Sequence, residues 1–307
     1  MPQATREIKR RIRSIKSTHQ ITRAMELVSA AKMRRAVQNV LATRTYAQLG
    51  WQLLSELSAR TDQSRHPLLA RREQIKRLGL VIISSNRGLC GGFNHQLTHR
   101  TNQYIQKNRE QNPQLEVDLV TVGKRGRDIM LRTGHNIVAE FTKADITTRI
   151  EVVAPIAKLL ISDYLSGKSD RVVMAYTDFI SPLTQKPIIK QLLPIVKEVD
   201  LNLGSARVAG VKQEEQAANF NYEYLFEPTP DAVLENLLPR LLEVQLYQAL
   251  LESDASEHSA RMMSMRNATD AAHDMISSLT LAFNQARQAS ITTELADITG
   301  GRAALGA

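Results

Sequence analysis

Cysteine occurs once in the 307 residues, as Cys90, so no internal disulfide can form. Aromatic residues make up 5% of the chain, and because aromatics supply much of the bulk of globular cores, part of the chain is expected to pack with small aliphatic side chains. No run of about 18 apolar residues is available to span a bilayer. The seven histidines are scattered without ligand spacing, so no metal site is expected. The opening MPQATREIKR is charged and lacks an apolar stretch, which sets the expectation of a chain without a secretory leader. Acidic residues are in deficit, 31 against 40 Lys and Arg, and the net charge of +9 asks for an acidic partner: nucleic acid, an anionic membrane face or an acidic protein.

Helix breakers are missing from both ends. Gly50 is the single glycine between Gln3 and His66, and no proline falls there. No glycine occurs between Val211 and Thr299, whereas ten of the fourteen glycines lie between Gly79 and Gly210. Long terminal helices are therefore expected, over about residues 3–57 and 231–298, flanking an irregular or mixed centre. In the second, Met265, Ala268, Ala272, Met275, Leu279, Ala282, Ala286 and Ala289 alternate in steps of three and four, the seam of a coiled coil. In the first, Met33, Val37, Val40, Ala47, Trp51 and Leu54 keep a similar rhythm, with Arg44 intruding. Pro239 should kink the second helix or restart it. A helix of about 60 residues is about 90 Å long, whereas a compact chain of this size is about 50 Å across. Such helices must project, and an antiparallel pair is the simplest arrangement.

The centre alternates strand and helix. LGLVIISS (residues 78–85), VDLVTVG (117–123), RVVMAYTDF (171–179) and the weaker KPIIKQLLPI (186–195) read as strands. Helical stretches are expected over 96–108 and 149–165, with a short one after GKRGRD (123–128). That order implies a partly parallel sheet with crossover helices. Residues 196–219 read as a loop.

Few fragments invite a catalytic reading. SSNRGLCGGFN (84–94) follows a strand, where phosphates often bind, but it lacks the Lys-Ser/Thr ending of a P-loop and the G-x-G-x-x-G spacing of a dinucleotide site. It reads as a tight turn or a partner-contact loop. Cys90 has no triad partner at a suggestive distance, and the G-x-x-G of GKRGRD is too short to signal RNA binding. The sequon at Asn267 lies within a helix and is discounted. The first 35 residues set ten cations, Arg6, Lys9, Arg10, Arg11, Arg13, Lys16, Arg23, Lys32, Arg34 and Arg35, against Glu7 and Glu26 alone. With no Phe, Trp or Tyr before Tyr46 to stack on bases, that run leans towards a protein partner over nucleic acid. A basic coiled-coil protein that binds nucleic acid and a small-molecule enzyme on the α/β centre stand as the other two classes.

Four stretches in order carry a resemblance: ITRAMELVSAAKMRRA (21–36), NRGLCGGFN (86–94), SEHSARMMSMRNATDAA (256–272) and NQARQASITTELADI (284–298). Together they resemble the gamma subunit of F-type ATP synthases along essentially the whole chain. The resemblance implies an α/β architecture: a long antiparallel two-helix coiled coil from residues 1–66 and 228–307, with a central Rossmann-like α/β domain over 75–226. It implies a rotor shaft with no active site, cofactor or metal. The coil would turn within a ring of alpha and beta subunits, and the central domain would stand on the membrane c-ring beside the epsilon subunit. Membrane association would be indirect, at the cytoplasmic face of a bacterial inner membrane.

Residue by residue, the resemblance places Met25 at a gamma–beta contact, with Arg261, Arg287, Gln288, Thr292 and Glu294 in the cluster facing it. Arg87 and Cys90 fall in a loop near the acidic lever of beta, and Lys32, Arg34 and Arg35 form a basic track towards the same lever. Asn86 stands where the family usually has Asp, and with Cys90 alone the chain lacks the redox cysteine pair of chloroplast-type relatives.

Overall fold

The computed structural model describes residues 3–60, 66–70, 72, 74–146, 149–195, 229–304 and 306. The two terminal helices are α1 (Gln3–Arg60) and α5 (Pro230–Ala304), a few residues longer than their sequence periods indicate. Pro239 lies inside α5 without dividing it, so no restart occurs. The carbonyl that loses its helical partner there belongs to Glu235, an exposed position where water can bond it. The stretch 196–219 lies outside the described residues.

The chain groups into two compact units, Met1–Ser29 with Arg261–Ala307, and Ala30–Ala260. The first unit is an antiparallel helix pair. Thr269 Oγ1 donates to Thr22 Oγ1 at 2.9 Å, and the rings of His19 and His273 lie beside each other, tilted by 45° with centroids 6.4 Å apart. Stepping three residues back along α1 thus steps four forward along α5. On α1 the inward positions are Thr5, Ile8, Ile12, Ile15, His19, Thr22, Glu26 and Ser29, a heptad rhythm that polar side chains hide from a hydrophobicity reading.

On α5 the seam differs from its sequence expectation in one of its two series. Met265, Ala272, Leu279 and Ala286 face inward as expected. Of the other expected series, Ala268 and Ala282 are half-buried but Met275 and Ala289 are exposed, and Thr269, Ile276, Phe283 and Ser290 join the seam beside them. An apolar Met or Ala one step away wins a pattern match over Thr or Ser. The packing is decided by geometry rather than by polarity. Carried back to the start of α1, the register leaves residues 291–302 of α5 without an antiparallel neighbour, and all of them are exposed.

The second unit holds a five-stranded sheet of order β3-β2-β1-β4-β5. Its strands are β1 (Arg77–Ile83), β2 (Glu116–Val122), β3 (Asn136–Phe141), β4 (Arg171–Phe179) and β5 (Gln185–Leu193); β1 to β4 are parallel and β5 runs antiparallel to β4. Between them lie α2 (Phe93–Gln111), α3 (Lys124–Arg132), and α4 (Ala154–Leu165) preceded by a 3-10 turn at Ile150–Val152. Alternation assigns the faces. Leu78, Leu80 and Ile82 enter one core with Leu97 and Ile105 of α2 and Met130 of α3, while Val81 and Ile83 enter the other with Ile156 and Leu160 of α4 and Leu238, Leu242 and Leu250 of α5.

Two elements depart from expectation. α3 begins inside GKRGRD rather than after it. The edge strand β3 escapes a sequence reading because NIVAEF alternates exposed and half-buried positions and carries Asn and Glu.

Candidate interaction sites

The loop after β1 is filled by its own side chains. Ser85 N–H donates to Asn94 Oδ1 at 3.1 Å, Ser85 Oγ donates to the Arg87 carbonyl at 2.7 Å, and Asn94 Nδ2 donates to Cys90 Sγ at 3.2 Å. Leu89 and Gly91 take positive φ, 62° and 55°. Cys90 is 2% exposed. As a surface contact, the thiol expected from sequence is therefore corrected: it builds the loop, and what the loop presents outward is Arg87 and Leu89. Asn86 is also explained. Its Nδ2 donates to the Lys143 carbonyl at 2.6 Å while its Oδ1 accepts from Lys124 N–H at 3.3 Å. An ionised Asp could accept the second bond but could not donate the first.

Lys32 of α1 pairs with Asp145, on the segment after β3. The hydrogen bond from Lys32 holds the Asp145 carboxyl below its ordinary range against partial burial, helped by the charges of Lys32, His258 and Arg87. His258 Nε2 lies 2.8 Å from the Asp145 carbonyl. Of the expected basic track, Lys32 is thus engaged within the chain, and Arg34 and Arg35 are exposed.

In the helix-pair unit, Met25 is half-buried beside exposed Ile21, Leu27 and Val28. Arg261 is buried, whereas Arg287, Gln288, Thr292 and Glu294 are all exposed. Thr292 Oγ1 donates to the Gln288 carbonyl at 3.0 Å and Ser290 Oγ to Glu294 at 3.3 Å, so this surface is ordered by local helix bonds. Arg6, Lys9, Arg10, Arg11, Arg13, Lys16 and Arg23 are exposed as well. Among the described residues no group of three or more His, Cys, Asp or Glu could hold a metal ion, and no helix is long and apolar enough to cross a membrane.

A polar cluster in α5 was not legible as a site. Lys143, 3% exposed, sits between Asp254 at 3.0 Å and Glu257 at 2.8 Å. Burial opposes its charge, but the two carboxylates prevail and raise its pKa. A turn away, Glu252 is fully buried and accepts from Gln248 Nε2 at 3.0 Å. Burial, then the neighbouring Asp178, pushes its carboxyl up to about 7, against the hydrogen bonds from Gln248 and Tyr176 and the charge of Lys190. A carboxyl that binds its proton more tightly when folded gives stability that is present at low pH and lost as pH rises through the folded value. The chain should therefore melt several degrees lower at pH 8 than at pH 6, and Glu252→Gln should flatten that dependence in a calorimetric pH series.

Residues 4–305 match the family model described as ATP synthase. The "ATP synthase gamma chain" of Chloroflexus aurantiacus is 44% identical over 98% of this chain and 99% of its own length, and that of Heliobacterium modesticaldum is 45% identical with the same coverage. The chain belongs to the ATP synthase gamma family. A gamma chain is the central rotor shaft of an F-type ATP synthase and a non-catalytic subunit of it. The fold of this gamma chain agrees with one from the Euglena gracilis mitochondrial ATP synthase, solved as "OSCP/F1/c-ring, rotational state 3", at TM-score 0.64 and 21% identity, over 98% of this chain and 94% of that one.

Proposed function

We propose that this gamma chain turns inside a hexamer of alpha and beta subunits, residues 1–66 and 228–307 serving as shaft and residues 75–226 as a foot that meets the c-ring and the epsilon subunit. The observation that carries this reading is the slim antiparallel helix pair, with Ala268, Ala272, Ala282 and Ala286 on its inner side and charged and apolar residues together on its outside. Small inner residues keep such a pair narrow enough for a sleeve. Met25 with Arg287, Gln288, Thr292 and Glu294 contacts beta, Arg261 supports the same region, and Arg34, Arg35 and Arg87 meet acidic beta surface as the shaft turns. Exposed ion pairs are individually worth about 0–1 kcal/mol, which suits contacts that must break and reform at each step. Each shaft angle favours one beta conformer, so rotation shifts populations among nucleotide sites. The basic face thus has acidic protein to meet and needs no nucleic acid. The complex sits at the cytoplasmic face of a bacterial inner membrane, and the chain is peripheral to it.

Purified alpha and beta subunits mixed with this chain should co-elute as one complex with a large gain in ATP hydrolysis. Arg287→Ala with Gln288→Ala should lower turnover of that complex about tenfold, the loss of roughly 1.4 kcal/mol of differential contact, while the isolated chain keeps its melting temperature. Unchanged turnover in the double variant would remove the assigned contact role. Failure of the parent chain to co-elute would remove the shaft reading itself.

A further inference from the structure

We infer that residues 252–259 of α5 form a directional polar joint that fixes the rotational angle of this helix against the sheet, so that torque passes between foot and shaft without slip. The inference rests on the shaft reading and extends it to named residues.

The eight residues Glu252, Ser253, Asp254, Ala255, Ser256, Glu257, His258 and Ser259 are all buried, and seven are polar. At 3.6 residues per turn, they point around the whole circumference of the helix. Each polar side chain finds a partner. Ser253 Oγ donates to the Ile83 carbonyl at the end of β1 (3.4 Å), and Asp254 and Glu257 hold Lys143. Ser256 Oγ donates to the Thr177 carbonyl on β4 (3.1 Å), and His258 meets the Asp145 carbonyl. Ser259 Oγ donates to the Pro182 carbonyl in the β4–β5 turn (2.6 Å) and accepts from Gln185 Nε2 (3.3 Å). Glu252 closes the ring beside Tyr176 and Asp178 of β4.

Stability does not require this arrangement. Buried ion pairs often stabilise no more than apolar residues of the same volume, and the preceding turns of α5, with Leu241, Leu242, Leu246 and Leu250, show that this helix packs apolar elsewhere on the same unit. What polar contacts add is direction. Hydrophobic burial is non-directional, so a helix in an apolar sleeve gains little resistance to turning about its own axis. Hydrogen bonds weaken steeply once misaligned, and a ring of them resists such turning in both senses.

The test uses the assembled alpha–beta complex fixed to a surface, with a bead attached to this chain through Lys107→Cys, an exposed position of α2, halted by a non-hydrolysable ATP analogue. If stiffness scales with the number of the seven polar residues still engaged, and width with its inverse square root, Ser256→Ala/Glu257→Gln/Ser259→Ala widens the angular distribution by roughly a third and Ser256→Ala/Ser259→Ala by roughly a fifth. Ile105→Val, in the core on the other sheet face, serves as a stability control and should leave the width unchanged. Widths unchanged in whichever joint variant assembles, or an equal widening in the control, would overturn the joint. A parent complex that does not rotate on ATP would instead overturn the shaft reading.

Discussion

A Lys143→Met chain should lose a large share of its stability. The methionine fills a similar volume, but it leaves Asp254 and Glu257 facing each other without the cation that holds them, and Lys143 and Asp254 are each only 1% exposed at the side chain. Removing one partner of a buried ion pair costs about 3–5 kcal/mol, because the remaining charge is left uncompensated. Against a total stability of about 5–15 kcal/mol, that is a large share. The same reasoning gives a diagnostic second variant. Lys143→Met combined with Asp254→Asn and Glu257→Gln removes the charges together and should recover part of the loss, since neutral amides are cheaper to bury than unpaired carboxylates. Urea unfolding of the three chains decides the matter. If the triple variant is no more stable than the single one, the ion cluster is not the source of the effect.

Gly123→Val should strongly destabilise the α/β unit. Gly123 adopts φ +97°, and a Cβ there would lie 2.5 Å from the Ser84 carbonyl oxygen, which is backbone and cannot swing aside. Strain at such a dihedral is about 1–3 kcal/mol and overpacking adds about 1–3 more. The neighbouring Gly126 is held for a related reason: its N–H donates to Ser84 Oγ at 2.9 Å, and a Cβ would sit 2.6 Å from that oxygen. The two glycines of GKRGRD therefore let α3 start directly against the end of β1. Gly134→Ala is the comparison, with φ +78° but nothing within 4 Å of the added carbon. It should cost only about 1 kcal/mol from the backbone. Soluble expression and far-UV melting of both variants separate close approach from dihedral strain, and a well-folded Gly123→Val chain would refute the packing account.

Those glycines show where a sequence reading succeeds and where it stops. The distribution of Gly and Pro was enough to place both long helices, and the branched runs at β1, β2 and β4 were enough to place most of the sheet, because both signals arise from the local backbone. The second seam series failed in part because Thr269 packs inward, on Thr22, through geometry that hydrophobicity does not register. The edge strand β3 failed because only its neighbour β2 makes Asn136 to Phe141 extended.

The candidate site divided in the same way. Exposed Arg34, Arg35, Arg287 and Gln288 lie on helix surfaces, as a run of basic and polar residues suggests. Cys90 turned inward and Lys32 found Asp145, 113 residues away, and neither contact has a local signature. Seven polar residues in eight, from Glu252 to Ser259, would ordinarily mean a solvated face. Their burial depends on carbonyls and one lysine from four separate parts of the same unit.

The inward turn of Cys90 also gives the chain a built-in reporter. A thiol reacts as thiolate and only where a reagent can reach it, so the one native sulfhydryl is silent while the loop after β1 stays closed. Its slow labelling in the native state would time the opening of that loop alone, in the manner of a protected amide. A thiol introduced at an exposed position would react long before it, and a dye or bead could be placed without first removing the native cysteine.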